Sequence, residues 1–595
     1  MNFTRKSYKA FDALLLAFQA SPIYTILHIF LSVVHAIMAT IAMALATSNF
    51  VDTATAILQG IRPHSDIYLS LFLLLLVLCL YMTIGSLTQL AASRITLNIE
   101  RKIKPAIVKV HAALDFRHIE NAGSWELISR VSRDPVRSVM DGFGALIQFL
   151  QVIISVASVF ILIVTQVWWA ALITISFSMP MFWLSLWAGK KNYQAGRDAE
   201  RFHRRTDYLE EVLTGRDAVD ERTLFDYGEA VNHRWYDQYE AARTLQLKVK
   251  AKMFLTTRSS SIILALIALL IAFTLINPVI MGLMTAGMFM GIVSAVFGMI
   301  QQVAWNLTNS LEKISRVYEY MKDLTAFLAL SGTVEAYEMP DKILPEIHSL
   351  EFKNVRFKYP GGDRYILDGL SFRLEPNLHY AFVGKNGAGK TTITKLLTGL
   401  YTDYEGEILI NQRELREYPM GTIKAFFSVV YQDYAKYYIS LQDNIAIGDI
   451  AGDSLEQIAE MAALAGLDEM IAELKYGMNT PLGKVKENGQ DISAGQWQRV
   501  AIARSLKSRA AMKILDEPTA ALDPISESKL YGEFERLMQD KMTIFISHRL
   551  GSTKLADEIM VIDDGKIIER GTHDELIKAN GQYAEMFEAQ RGWYQ

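Results

Sequence analysis

The sequence holds one cysteine in 595 residues, Cys79, and it stands inside an apolar run. A disulfide within the chain is therefore excluded, and a metal centre built on several thiolates goes with it. Charge of one sign is also scarce: 60 Lys and Arg stand against 64 Asp and Glu, a formal net charge of −4. That balance excludes a nucleic-acid binder dependent on a large basic surface, though not a small basic patch. Residues 1–20 carry Arg5, Lys6 and Lys9 among apolar neighbours. No small-residue cleavage site follows, and the apolar region beyond is too long for a signal peptide. This stretch is expected to form a short amphipathic helix lying on the membrane surface. What the chain has in excess is apolar residues, 51% of the total, with a positive mean hydropathy. A chain of this length is expected to form several domains, and this composition points to membrane spans.

Six stretches, about 22–47, 67–92, 138–164, 167–188, 255–276 and 279–304, are long and apolar enough to span the hydrocarbon. Ile67–Met82 is apolar on every face, which a buried helix of a soluble protein tolerates only inside a complete protein jacket. The connections alternate in character. Those between spans two and three, and between spans four and five, are long and rich in Arg and Lys; Arg94, Arg101, Lys190 and Arg204 are examples. The other connections are short and poor in positive charge. By the positive-inside rule the N-terminus and both long connections face the cytoplasm, and six spans return the chain there. Both long connections lack helix breakers along most of their length, so they are expected to prolong the membrane helices inward. Asp115–Gly123 and Thr214–Asp217 supply the turns at their tips, and Ala218–Phe225 a short helix. Few polar residues fall within the spans. Among them are His28 and His35, seven apart and so on one helix face, and Gln148 and Gln151 on one face of span three. The glutamines read as interhelical hydrogen-bonding partners; His35 fits equally a packing role or a place in a transport path.

After a linker at 331–349 the pattern changes to short β-rich runs and then alternating strands and helices, an α/β domain over 350–595. Within it Gly384-Lys385-Asn386-Gly387-Ala388-Gly389-Lys390-Thr391-Thr392 fits G-x-x-x-x-G-K-[ST], the phosphate-binding P-loop. The glycines let successive backbone N–H groups point inward at phosphate, and Lys390 adds a mobile positive charge. The Thr391 hydroxyl is placed to ligate Mg²⁺. The apolar run Tyr380–Val383 reads as the strand that feeds the loop, and Thr392–Leu400 as the helix that leaves it, its positive end toward the anion. Lys513–Glu517 reads as a second strand ending in two carboxylates. Asp516 at that place can hold Mg²⁺ through water, and Glu517 can orient and deprotonate an attacking water. His548 follows the expected strand Met542–Ser547, placed to hydrogen-bond a γ-phosphate. Binding of ATP or GTP follows from these residues alone.

Ile492-Ser493-Ala494-Gly495-Gln496 resembles the LSGGQ signature of ATP-binding cassette (ABC) transporters. The order of the other motifs matches that family. Tyr359 in FKYP resembles the adenine-stacking aromatic, Gln432 in VYQD the Q-loop, Ala521-Leu522-Asp523 the D-loop and His548 the switch histidine. The likeness is specific over about 350–585. It extends more loosely over 20–330, where Gly123, Arg130 and Asp134 resemble a first coupling region and Gly215 to Phe225 a second. The implied fold is an all-α six-helix transmembrane domain over 21–330 followed by an α/β P-loop ATPase domain of the ABC type: a half-transporter of the exporter type.

The resemblance also implies roles. Tyr359 stacks on adenine and Gly384–Thr392 cradle the phosphates. Thr391, Gln432 and Asp516 serve Mg²⁺, Glu517 is the catalytic base, and His548 stabilises the transferring phosphoryl group. Ser493, Gly495 and Gln496 close on the ATP held by a second subunit, so the working unit is a dimer of half-transporters. Ala494 departs from the usual glycine; with Glu517 intact, a homodimer is favoured and a heterodimer left open. The expected function is ATP-driven export of an apolar or amphipathic cargo (lipid, drug or peptide) across a bacterial plasma membrane. The alternative is an importer with exporter architecture, for example for metal–siderophores. Membrane lipid is an implied partner and nucleic acid is not, because six fused spans argue against an ABC ATPase that acts on ribosomes.

Overall fold

A computed structural model describes residues 7–169, 206–215, 219–330, 332, 338–342, 345–450, 452, 454–484, 487–518, 527, 532, 541–547 and 552–591. The chain divides into two compact units: Met1–His111 with Glu126–Leu330, and Ala112–Trp125 with Ser331–Gln595.

The first unit is helical. α1 (Asp12–Ala20) buries Ala13, Leu16, Ala17 and Ala20 and leaves Phe11 and Phe18 exposed. Lys102 Nζ donates to the carbonyls of Gln19 and Ala20 at 3.1 and 2.8 Å, so the last turn of α1 is satisfied by a lysine. α2 (Pro22–Ile37) runs through a π turn, Met38–Ala42, into α3 (Met43–Leu58). This first membrane helix therefore outlasts the expected end at residue 47. The reason is local: the Thr47 and Thr53 hydroxyls donate to the carbonyls four residues earlier at 2.8 and 2.7 Å, so these polar side chains do not interrupt the helix.

α4 (Asp66–Ala112) has 47 residues and buries Ile95, Ile99, Ile103 and Ile107, a stripe at a spacing of four. At 1.5 Å per residue it is about 70 Å long, more than twice the hydrocarbon thickness. The chain then makes α5 (Phe116–Glu120) and α6 (Ala122–Arg133). α7 (Pro135–Gln166) starts at Asp134, whose side chain accepts from Arg137 N at 3.1 Å. All but the first residues of the expected fourth span lie outside the described residues. α8 (Val219–Phe225) is followed by α9 (Gly228–Ile280), 53 residues long. α10 (Ala286–Gln302) passes through a second π turn, Val303–Leu307, into α11 (Thr308–Leu328). Among the described residues, Pro22–Leu58, Asp66–Ala112 and Pro135–Gln166 are long and apolar enough to cross a membrane, and Leu269–Ile280 and Ala286–Met299 are shorter apolar helices.

α3 and α10 approach backbone to backbone. A Cβ on Gly287 would stand 2.2 Å from the Ser48 carbonyl oxygen, and one on Gly291 2.4 Å from that of Ala44. Asp52 on α3 caps the start of α10, accepting from Gly287 N and from Thr285 Oγ1, both at 2.8 Å. The intramembrane polar groups also meet partners. His28 Nδ1 lies 3.0 Å from the Thr88 carbonyl, His35 stacks on Tyr81, and Gln148 Oε1 accepts from Ser310 Oγ at 3.1 Å.

In the second unit β1 (Leu350–Phe357), β2 (Leu367–Leu374), β4 (Glu405–Ile410) and β5 (Arg413–Glu414) form an antiparallel sheet ordered β2-β1-β4-β5. β3 (His379–Val383), β6 (Phe427–Val430), β7 (Met512–Asp516), β8 (Met542–Ile546), β9 (Glu558–Asp563) and β10 (Lys566–Gly571) form a second sheet, ordered β10-β9-β3-β8-β7-β6. Its strands are parallel except at the β9–β10 hairpin. β7 and β8 are buried at every position, as strands covered on both faces must be. Lys513 is the exception in chemistry: its ammonium donates to the carbonyls of Ser505 and Ser508 at 2.6 and 2.5 Å, and burial lowers its pKa well below the usual lysine value. The sheet matters because the C-terminal ends of its parallel strands are where an α/β fold places ligands.

Candidate nucleotide site

Three of those strand ends converge on one cavity. β3 ends at Val383 and opens into the loop 384–389, which turns directly into α12 (Lys390–Leu397). Gly387 and Gly389 take φ of +81° and +105°, a region open to glycine and strained for residues with a Cβ. The helix therefore begins two residues before the expected Thr392. It ends at Leu397, three before the expected Leu400, with Gly399 at φ +71° just beyond. The Lys390 ammonium folds back on the loop, donating to the Gly384 and Lys385 carbonyls at 2.7 and 3.0 Å. Burial lowers its pKa, and the charges of Glu517 and Asp516 oppose that shift.

β7 delivers the two carboxylates. Asp516 is buried and its Oδ2 accepts from the Thr391 hydroxyl at 2.9 Å. Burial raises its pKa to about 6, with Glu517 and Asp433 adding to the rise and Thr391 and Lys390 opposing it. Glu517 leaves the strand at φ +50°. Its amide donates to the Ile546 carbonyl at 2.8 Å, and its own carbonyl accepts from Gln498 Nε2 at 3.1 Å. This pins an otherwise unfavourable backbone conformation. The side chain is thereby brought to Gln432, two residues past β6, whose Nε2 donates to Glu517 Oε2 at 3.0 Å.

The resulting cavity of about 390 Å³ is lined by Asn386, Gly387, Gly389, Lys390, Thr391, Thr392, Gln432, Asp516 and Glu517, with Tyr359 and Ile366 from the loop between β1 and β2. The Tyr359 hydroxyl shares a hydrogen bond with Thr392 Oγ1 at 3.0 Å. Its ring meets Phe357 and Tyr401 edge-on. Chemically the arrangement offers a backbone nest and a cation for phosphates. It offers oxygen donors of a kind suited to a hard divalent ion, and a carboxylate held by an amide beside them.

Ser493, Gly495 and Gln496 do not line this cavity. Ser493 caps α13 (Ala494–Lys507) in a closed capping box: Gln496 N donates to Ser493 Oγ at 3.2 Å, and Ser493 N to Gln496 Oε1 at 2.8 Å. His548 and the segment Ala521–Asp523 lie outside the described residues. Gln498, which holds the backbone of Glu517, directly follows the signature run with Trp497 and Arg499 but carries no role there, and no motif points to Ile366 in the cavity wall. The role of Gln498 is recognisable only once β7 and α13 are side by side, and that of Ile366 only once the loop between β1 and β2 stands at the cavity wall.

Comparison with known proteins agrees with this geometry. The family model described as "ABC transporter transmembrane region" matches residues 25–303, and that described as "ABC transporter" matches 367–520. The subtilin transport ATP-binding protein SpaT of Bacillus subtilis is 30% identical over 550 residues, 90% of this chain and 87% of that protein. The ATP-dependent lipid A-core flippase of Escherichia coli K12 is 31% identical over 472 residues, 78% of this chain and 79% of its own. Among solved structures, that of a bacterial Atm1-family ABC exporter with ATP bound superposes with a TM-score of 0.76, covering 95% of this chain and 98% of the other at 22% identity, a likeness of fold.

Proposed function

The chain belongs to the ABC transporter family, and on that premise we propose that it exports an apolar or amphipathic substrate as one half of a dimer. It is a multi-pass membrane protein that binds nucleotide and hydrolyses ATP to drive transport. One observation carries the finer reading: a single cavity gathers Lys390, Thr391, Gln432, Asp516 and Glu517 in a chain that also carries membrane-crossing helices. The loop Gly384–Thr392 receives the phosphates and the Tyr359 ring the adenine. Thr391, Asp516 and Gln432 are the oxygen donors for Mg²⁺, whose charge would offset that developing on the phosphate oxygens. Glu517 orients and deprotonates the attacking water, and His548 is assigned to the transferring phosphoryl group.

Ser493, Gly495 and Gln496 are assigned to the ATP of a second subunit. Their place away from this chain's own cavity supports that assignment. The domain limits adopted are a surface helix at 1–20, a six-span domain at 21–330, a linker at 331–349 and the ATPase domain at 350–595. The N-terminus and ATPase domain face the cytoplasm of a bacterial plasma membrane.

Export of a lipid, drug or peptide is supported by two relatives named for subtilin transport and for lipid A-core flipping. The test is transport in inside-out vesicles with a panel of lipids, peptides, drugs and metal–siderophores. ATP-dependent accumulation of one of the first three is expected. Glu517-dependent uptake of a siderophore into right-side-out cells would overturn the assignment of direction.

A further inference from the structure

A carboxylate outside the nucleotide cavity holds two of the groups that surround Tyr359. Glu120 ends α5, in the Ala112–Trp125 segment that packs within the nucleotide-binding unit. Its Oε1 accepts from Lys395 Nζ at 2.7 Å, and its Oε2 accepts from the Tyr401 hydroxyl. Both donors touch the same ring. The Lys395 ammonium lies 5.2 Å from the centroid of Tyr359, and the Tyr401 ring meets Tyr359 edge-on at 5.5 Å and 82°. Phe116, from the same segment as Glu120, completes the cluster, 5.3 Å from the Lys395 ammonium and edge-on to Tyr401 at 5.7 Å.

The Tyr359 hydroxyl is tied to Thr392, but its ring has no strand ladder to hold it. It stands beyond the last paired residue of β1, Phe357, and before the first of β2, Leu367, so no strand pairing fixes it. The Lys395–Glu120 pair is only partly open to solvent, with side chains 19% and 36% exposed, and is less screened than a free surface pair. The two pKa directions agree. Burial, the largest single influence on each, would raise that of Glu120 and lower that of Lys395; their mutual hydrogen bond and charge, with Tyr401 acting on Glu120 and Tyr359 on Lys395, together outweigh it, and Glu120 moves down and Lys395 up.

We propose that Glu120 is a positioning residue for ATP binding: through Lys395 and Tyr401 it fixes the Tyr359 ring in the orientation that receives the adenine. This rests on the reading of Tyr359 given above and adds a group to it from the connection between α4 and α7. A ring ordered before the ligand arrives need not be ordered by it, so affinity for the base rises. Linkage makes the effect mutual: the factor by which docked Glu120 strengthens ATP binding is the factor by which ATP strengthens the docking. The segment between two membrane helices is thus coupled to the base of the nucleotide.

The test uses the full chain in lipid nanodiscs, with dissociation constants for ATP and for inorganic tripolyphosphate, which has no base. Tyr359→Ala should weaken ATP binding about 5–100-fold, the range for loss of one base–aromatic stack, and leave tripolyphosphate unchanged. Glu120→Gln should weaken ATP binding about two- to tenfold, the size of ordering one side chain, and again spare tripolyphosphate. The double variant should bind no more weakly than Tyr359→Ala alone. Arg117→Gln, on the same segment as Glu120, breaks the pairs of Arg117 with Asp115 and the exposed Asp403 and should change nothing. Should Glu120→Gln fail to fold, Tyr401→Phe removes one link of the same chain and should show the same base-selective loss.

If Tyr359→Ala leaves ATP binding intact, the adenine reading falls and the proposal with it. If Tyr359→Ala weakens ATP binding while Glu120→Gln does not, the adenine reading stands and the proposal falls. Equal loss of tripolyphosphate, additive losses in the double variant, or a matching loss in Arg117→Gln would each reduce Glu120 to general docking and overturn it.

Discussion

Glu517 and Asp516 are neighbours with opposite environments. Glu517 stands outside the strand, turned by a left-handed backbone toward Gln432; Asp516 is sealed in the strand end. Replacing Glu517 with Gln should keep ATP binding and slow hydrolysis by about 10²–10⁴, the usual worth of a general base. Near-normal turnover by Glu517→Gln, measured as phosphate release, would refute that role. Asp516 makes a prediction about pH. Its folded pKa of about 6 lies above the ordinary 3.8, so between those values the native state holds a proton that the unfolded chain has released. This contribution to stability is full at the acidic end of the window and is lost as pH rises through 6. Metal binding needs the ionised carboxylate. Affinity for Mg²⁺–ATP should therefore fall about tenfold per pH unit below 6, read by fluorescent-nucleotide displacement, and Asp516→Asn should abolish the slope. At this scale the sequence was most informative, because Gly384–Thr392 and Lys513–Glu517 each pack their chemistry into one short spacing. The role of Gln498 was illegible for the opposite reason, since its partner is a backbone carbonyl from another element.

Helix ends were less legible than helices. Thr47 and Thr53 look like the close of a span, yet their hydroxyls bond back along α3 and the helix continues to Leu58. Gly389 reads as a loop residue and Gly399 falls inside the expected helix Thr392–Leu400, yet both take positive φ and together they bound α12. The contact between α3 and α10 could not be read at all, because Gly287 and Gly291 matter only through the carbonyls they face. That contact gives a sharp comparison. Gly291→Ala places a methyl 2.4 Å from the Ala44 carbonyl and should destabilise the protein by about 1–3 kcal/mol. Gly298→Ala, on the same helix with nothing within 4 Å, should be neutral or stabilise by up to about 1 kcal/mol through helix propensity. Thermal unfolding in one detergent decides it, and equal melting temperatures for the two variants would show that α3 and α10 do not approach this closely.

At the scale of the whole molecule, the role proposed for Ser493, Gly495 and Gln496 makes one chain insufficient. Ser493 and Gln496 satisfy each other in a capping box, outside the cavity that holds the P-loop. If the chain pairs with itself, the purified protein alone should hydrolyse ATP with a sigmoidal dependence on ATP concentration, and Ala494→Gly should alter the rate only modestly. Activity that appears only on co-expression with a different half-transporter would show that the partner is another chain. The organisation into membrane and ATPase parts was legible from composition, because apolar runs and strand–helix alternation are statistics of long segments. The grip of Glu120 on Lys395 was not, because those residues are 275 positions apart. That separation has a consequence in the time of synthesis. At about 5–20 residues added per second, Glu120 is joined to the chain roughly 14–55 s before Lys395 exists. Through that interval Phe116 and Glu120 have neither Tyr401 nor Lys395 to meet, so the nascent chain carries an unmatched apolar and acidic knuckle between α4 and α7 until about two-thirds of it is made.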